Sequence, residues 1–159
     1  MCAIIDSNVR DELVKKRPSA IGMYFKDRIS GPKRSLKLVV GGKLLRELGG
    51  SEQVKRWIIE GIRSGYVMAC NDQEVDKVAE DIVGQCHSND PHIIALAQVS
   101  GARLLFTRDH KLMADFCNRE LLGGHVPGRV YTDASGRRTL GRHHKELLAR
   151  TDLCEVPHK

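Results

Sequence analysis

Short apolar runs alternate with helix-period stretches along most of this chain of 159 residues. Ala3–Asp6 reads as a buried strand. It leads into a helix through about Lys16 that Pro18 stops, since proline cannot continue a helix. A second helical stretch follows over about Ser19–Arg28. Gly31-Pro32 marks a turn inside the basic loop Lys26–Lys37. Leu38-Val39-Val40 is a short strand, and Gly41-Gly42 opens a helix carrying Leu44, Leu45, Glu47 and Leu48. Ser51-Glu52 starts another helix, whose Val54, Trp57, Ile58, Ile59 and Ile62 recur at helical spacing before Gly65 ends it. That stripe belongs to the core, so Trp57 has no ligand role.

Tyr66–Cys70 predicts a third strand, and Asn71-Asp72 turns into a helix over about Gln73–Gln85. Asp90-Pro91 begins the plainest helix of the chain, His92–Ser100, with Ile93, Ile94, Leu96, Ala97 and Val99 apolar. Gly101 caps it before the strand Arg103–Thr107. Asp109-His110 opens a helix through about Arg119, and Gly128–Tyr131 reads as an edge strand. Strands alternating with helices predict a layered α/β domain with a mostly parallel sheet. The polar, basic tail from Thr132 to Lys159 stands apart as an extension of residues 132–159, with one weak helical segment near His144–Ala149. The domain itself is residues 1–131.

Composition narrows the class. Apolar content of 41% with 29% charged residues is ordinary for a soluble globular protein. No apolar stretch approaches the ~20 residues of a membrane span, and Met-Cys-Ala-Ile-Ile-Asp has no basic leader, so a cytoplasmic protein is expected. The five cysteines (Cys2, Cys70, Cys86, Cys117, Cys154) lie far apart with no Cys-x-x-Cys pair. They read as idle thiols rather than a disulfide framework or zinc site. His143-His144 lacks cysteine partners and reads as basic surface.

The net charge of +6 is unevenly spread. Residues 10–46 hold eleven Lys/Arg against three acids, a local +8; residues 47–90 hold four against nine, a local −5. A basic rim around an acidic pocket suits a polyanion held by Lys/Arg while carboxylates meet one phosphate. With 4% aromatic residues, a base-stacking platform is not expected.

Four acids carry the candidate chemistry. Asp6 and Asp109 each close an apolar run, Asp90 starts the helix feeding the later run, and Glu47 follows the second strand. An open parallel sheet binds ligands beyond the carboxyl ends of its strands. Carboxylates gathered there repel by roughly 4 kcal/mol per pair at ~4 Å and an effective dielectric of ~20. A hard divalent cation, Mg²⁺ or Mn²⁺, relieves that repulsion with oxygen ligands. The competing explanation is helix capping, which accounts for Asp6, Asp90 and Asp109 taken singly. Capping does not require the acids at one rim; a metal pocket does.

These residues resemble the PIN-domain nucleases, and most of all the small prokaryotic ribonucleases that act as toxins in VapC-type toxin–antitoxin pairs. The matching stretches are Ile4–Asn8, Gly42–Leu48 and Asn89–Ala97 running into Gly101–Asp109, within about residues 2–131. The resemblance implies a three-layer α/β/α fold with strand order 3-2-1-4-5 and a metal-dependent endoribonuclease holding one or two Mg²⁺ or Mn²⁺ ions. Asp6, Asp90 and Asp109 would be ligands, with Glu47 bound directly or through water. Asn8 and Thr107 fall where the family often has hydrogen-bonding residues behind the ligands. Arg108 and the loop residues Arg28, Lys33 and Arg34 are expected to hold flanking RNA phosphates. His92 and His110, beside proposed ligands, are expected to stay out of a site built for oxygen donors. As a toxin the chain would form a homodimer and bind an antitoxin whose basic side chain enters the pocket. A housekeeping RNA-processing nuclease and a non-catalytic RNA- or protein-binding module are the alternatives. A phosphotransfer domain would want a second Asp two residues after Asp6, where the chain has Asn8.

Overall fold

The computed structural model describes residues 1–32, 34–124 and 126–132. Five parallel strands form one sheet: β1 (Cys2–Ile5), β2 (Lys37–Val40), β3 (Val67–Ala69), β4 (Leu104–Phe106) and β5 (Arg129–Tyr131). Their order is 3-2-1-4-5, the order that the family resemblance implied. The register pairs Ala3 with Leu38 on one side and with Leu104 on the other. Parallel strands require crossovers, and each crossover here is helical. The intervening helices are α1 (Ala20–Ile29), α2 (Gly42–Leu48), α3 (Glu52–Ser64), α4 (Asp72–Ile82), α5 (Pro91–Ser100), α6 (His110–Cys117) and α7 (Arg119–Leu122).

Every residue of β1 and β4 is buried, as expected of strands covered on both faces by helices. Phe25 of α1 stacks on Phe106 of β4 with ring centroids 5.3 Å apart and planes at 4°. The α5 helix packs against β1 and β2, and its Ile93, Ile94, Ala95, Leu96 and Ala97 are fully buried. That all-round apolar character explains why α5 was the plainest helix in the sequence. Its end is set by Gly101, whose φ of 75° is left-handed and cheap only for glycine.

Two expected elements differ. The segment after Asp6 is a 3₁₀ stretch over Ser7–Leu13 rather than an α-helix to Lys16. The buried Glu12 explains the early stop: its carboxylate accepts from the backbone N–H of Ser19 at 2.7 Å and pairs with Lys15 Nζ at 2.7 Å, folding the chain back on itself. The α6 helix ends at Cys117 because Asn118 turns outward and caps α7, accepting from Glu120 and Leu121 N–H. The cysteine reading needs one correction. Cys70, Cys86 and Cys117 are free thiols, but Cys2 is disulfide-bonded. A bridge that uses no Cys-x-x-Cys pair leaves no spacing signature. No helix among the described residues is long and apolar enough to cross a membrane. Residues 133–159, with His143-His144 and the expected segment His144–Ala149, lie outside the described residues, as does Lys33.

Candidate metal centre

The parallel pairing of β1 with β4 brings their carboxyl ends together. The backbone N–H of Asp6 donates to the carbonyl of Phe106 at 3.0 Å, which seats Asp6 beside Thr107. Thr107 is fully buried, and its hydroxyl donates to Asp6 Oδ2 at 2.7 Å. The Thr107 hydroxyl oxygen itself accepts from the backbone N–H of Asp109 at 3.0 Å and from Asn8 Nδ2 at 3.4 Å. Asn8 Oδ1 in turn accepts from the backbone N–H of Arg108 at 3.3 Å. One buried hydroxyl therefore ties together the turn after β1 and the turn after β4.

Capping explains less than the sequence suggested. Asp109 is a true N-cap, accepting from Lys111 and Leu112 N–H at 2.9 and 3.2 Å. Asp6 and Asp90 make no side-chain cap bond. At Asp90 the proline at N1 already sets the helix start, so the carboxylate is left for other work. Its loop is positioned by Asp115, a buried acid of α6 that accepts from the backbone N–H groups of His87 and Ser88 at 3.0 and 2.8 Å. Burial pushes the Asp115 carboxyl up, but these donors outweigh it and hold the group below the usual carboxylate value.

The charges converge on Asp90. Burial pushes its carboxyl up to about 6, and the negative charges of Asp6, Asp109 and Glu47 push in the same direction. The Asp109 carboxylate is also close enough to share a hydrogen bond with protonated Asp90. Asp6, 4% exposed, is likewise raised, chiefly by burial, against the pull of its bond from Thr107. Four carboxylates from four segments of the chain thus sense one another at the carboxyl rim of the sheet.

Glu47, Asp90 and His92 form the tightest group: each offers one ligand atom, and these atoms all lie within 4.8 Å of one another. His92 is 2% exposed and its Nε2 sits 3.2 Å from Glu47 Oε2, while its Nδ1 is buried with no partner. Burial holds the imidazole below its ordinary pKa despite the attraction of Glu47, favouring the neutral form that binds metals. The nearest cation is Lys43, whose Nζ lies 3.9 Å from Glu47 Oε1 on the same helix. The donor set fits a divalent cation, and including an imidazole suits Mn²⁺ at least as well as Mg²⁺.

His92 is the residue the sequence undervalued. Two positions after Asp90, it sits in the first turn of α5 and meets a glutamate 45 residues away. His110, exposed at the start of α6, is outside the 4.8 Å group. The basic residues divide. Arg108 lies at the rim, with NH1 donating to the Asn8 carbonyl at 2.7 Å and NH2 at 3.5 Å from Glu12. Arg28 and Arg34 are not brought to the acids. Arg28 ends α1 beneath the entry to β2 and lies over the Tyr24 ring at 5.0 Å. Arg34 precedes β2 and covers Tyr66, just before β3, at 5.1 Å. Both belong to the amino ends of the strands, opposite the acidic mouth, because a linear count of charge does not say which rim a loop joins. No protein family model, curated protein or solved structure matches the chain.

Proposed function

We propose that the chain is a metal-dependent endoribonuclease of PIN type, hydrolysing RNA phosphodiester bonds at the carboxylate cluster, as the toxin of a toxin–antitoxin pair. The observation that carries this reading is the convergence of Asp6, Glu47, Asp109 and His92 on Asp90. Buried like charges of this kind are unfavourable without a counter-ion, and a divalent cation is the natural one.

Asp90, Glu47 and His92 would hold one Mn²⁺ or Mg²⁺ ion; Asp6 and Asp109 border the same mouth and would complete its sphere or hold a second. When bound, the ion supplies charge to offset the phosphate and makes water a better nucleophile. Thr107 keeps Asp6 ionised and aimed by donating to one carboxylate oxygen. His92 fixes Glu47, and Asp115 fixes the loop that delivers Asp90. Arg108 holds the turns around Asn8 in place, and its guanidinium charge at the rim would favour a flanking phosphate there. The homodimer, the antitoxin and a cytoplasmic location remain part of this proposal through the PIN resemblance.

The test is cleavage of a mixed-sequence RNA by the purified chain with Mn²⁺ or Mg²⁺, with and without EDTA. Cleavage that EDTA abolishes and Asp109→Asn removes supports the reading. Cleavage equally fast in EDTA, or none with any divalent ion, overturns it.

A further inference from the structure

A cavity of about 390 Å³ opens directly beside the metal cluster, sharing His92 with it. This volume lies in the range of small-ligand sites, roughly 300–1,000 Å³. It is walled by α2, α4 and the segment that enters α5, and its polar lining is unusual in which groups are already engaged. Arg46 of α2 is clamped on Asp76 of α4, with guanidinium nitrogens 3.2 Å from both carboxylate oxygens. Both side chains are therefore held in place before any ligand arrives. Glu80, one helical turn beyond Asp76, lines the same cavity and has no hydrogen-bond partner among the described residues. The Asn89 side-chain amide is similarly without a partner there. Val83, 59% exposed, supplies an apolar surface at the mouth.

We infer that this cavity is a base-recognition pocket for a guanine adjoining the scissile phosphate of single-stranded RNA, with Glu80 as the reading residue. The inference rests on the nuclease reading for its placement beside the metal cluster. Its chemistry is its own. A free carboxylate only accepts, and it has two oxygens for two parallel donors. Guanine alone among the four bases presents two adjacent donors, N1–H and the N2 amino group, on its Watson–Crick edge. Its neighbouring O6 needs a donor, which the Asn89 amide or the fixed Arg46 guanidinium provides. Unstacked bases in single-stranded RNA are read on this edge. Val83 gives the base an apolar face to lie against. Lys43, between the cavity and Glu47, is positioned for the phosphate that links this nucleotide to the reacting one.

The experiment is calorimetric titration of the full chain in Mg²⁺ with guanosine, inosine, adenosine, cytidine and uridine 5′-monophosphates. Guanosine monophosphate should bind about tenfold more tightly than the adenosine, cytidine and uridine forms. Inosine monophosphate, which lacks the N2 amino group, should fall between. Glu80→Gln and Glu80→Ala should erase the preference; Glu80 is exposed, so neither change threatens the fold. Equal binding of all five, binding of none, or a preference that survives both substitutions overturns the pocket. RNA cleavage assayed on the same preparations separates the two readings. Guanine preference without cleavage sinks the nuclease and leaves the pocket; cleavage without any guanine preference does the reverse.

Discussion

Asp90→Asn should make the metal-free protein more stable and the metal-loaded protein less so. In the metal-free chain Asp90 is ionised at pH 7.5 against burial and three acidic neighbours, which raise its pKa from 3.8 to about 6. A shift of that size is worth roughly 3 kcal/mol for a fully enclosed group. Asp90 is partly exposed, so solvent screening reduces this to about 1–2 kcal/mol. The amide removes the charge and breaks no cap bond, because Asp90 makes none. At about 2–4 °C per kcal/mol for a chain of this length, the variant should melt about 2–8 °C above wild type in EDTA. Saturating Mn²⁺ at about 100 times its dissociation constant should add about 2.7 kcal/mol to wild type, and much less to the variant that lacks a ligand. The order of the two melting temperatures should therefore reverse between EDTA and Mn²⁺. Differential scanning fluorimetry in the two conditions reads this directly. An Asp90→Asn protein that melts below wild type in EDTA, or gains as much as wild type from Mn²⁺, would refute the account of Asp90 as a ligand crowded by like charge.

Other outcomes follow from the same geometry. Because the folded pKa of Asp90 is raised, the folded state holds the extra proton between about pH 4 and pH 6. Metal-free stability should fall as pH rises through that window, and Mn²⁺ affinity should fall as pH drops through it, both measurable by melting and calorimetry from pH 4.5 to 8. Asp115 has the opposite sign: its carboxyl is held below 3.8, so its contribution is present above that value and lost as pH falls further. Asp115→Ala strands two backbone donors and should cost about 2–4 kcal/mol in urea unfolding at pH 7. Thr107→Val keeps the shape but leaves Asp6 without its donor; a roughly tenfold loss of Mn²⁺ affinity is expected with the fold retained. Gly22→Ala should destabilise by more than 2 kcal/mol, since an added Cβ would lie 2.0 Å from Glu12 Oε2, which accepts from Ser19 N–H while Lys15 and Arg108 hold the other oxygen of the same carboxylate; thermal melting checks it.

The sheet was legible because buried parallel strands announce themselves as short continuous apolar runs. Leu104–Phe106 and Cys2–Ile5 are such runs, and each stops at the acid that defines the rim. Helix positions followed from apolar spacing, as at Val54 and Ile58, and in α5 from the unbroken apolar run Ile93 to Ala97 behind Asp90-Pro91. The stretch after Asp6 misled because Val9 and Leu13 have the spacing of one α-turn, and only the buried Glu12 carboxylate diverts the chain. His92 was hidden for a different reason. Its neighbour Asp90 is obvious in sequence, but its partner Glu47 arrives from another crossover, and no local pattern reveals a contact across 45 residues. The placement of Arg28 and Arg34 away from the acids follows from polarity of the sheet: α1 runs antiparallel to the strands, so residues near its end fall at the far pole.

The bond from Thr107 to Asp6 spans 101 residues. During synthesis, then, the first strand emerges long before its decisive neighbour exists. A truncated product ending before β4 carries Asp6, Glu47 and Asp90 but lacks the wedge that aligns them. Premature termination on the ribosome would yield fragments with an incomplete acidic mouth, which closes only when nearly the whole domain has been made.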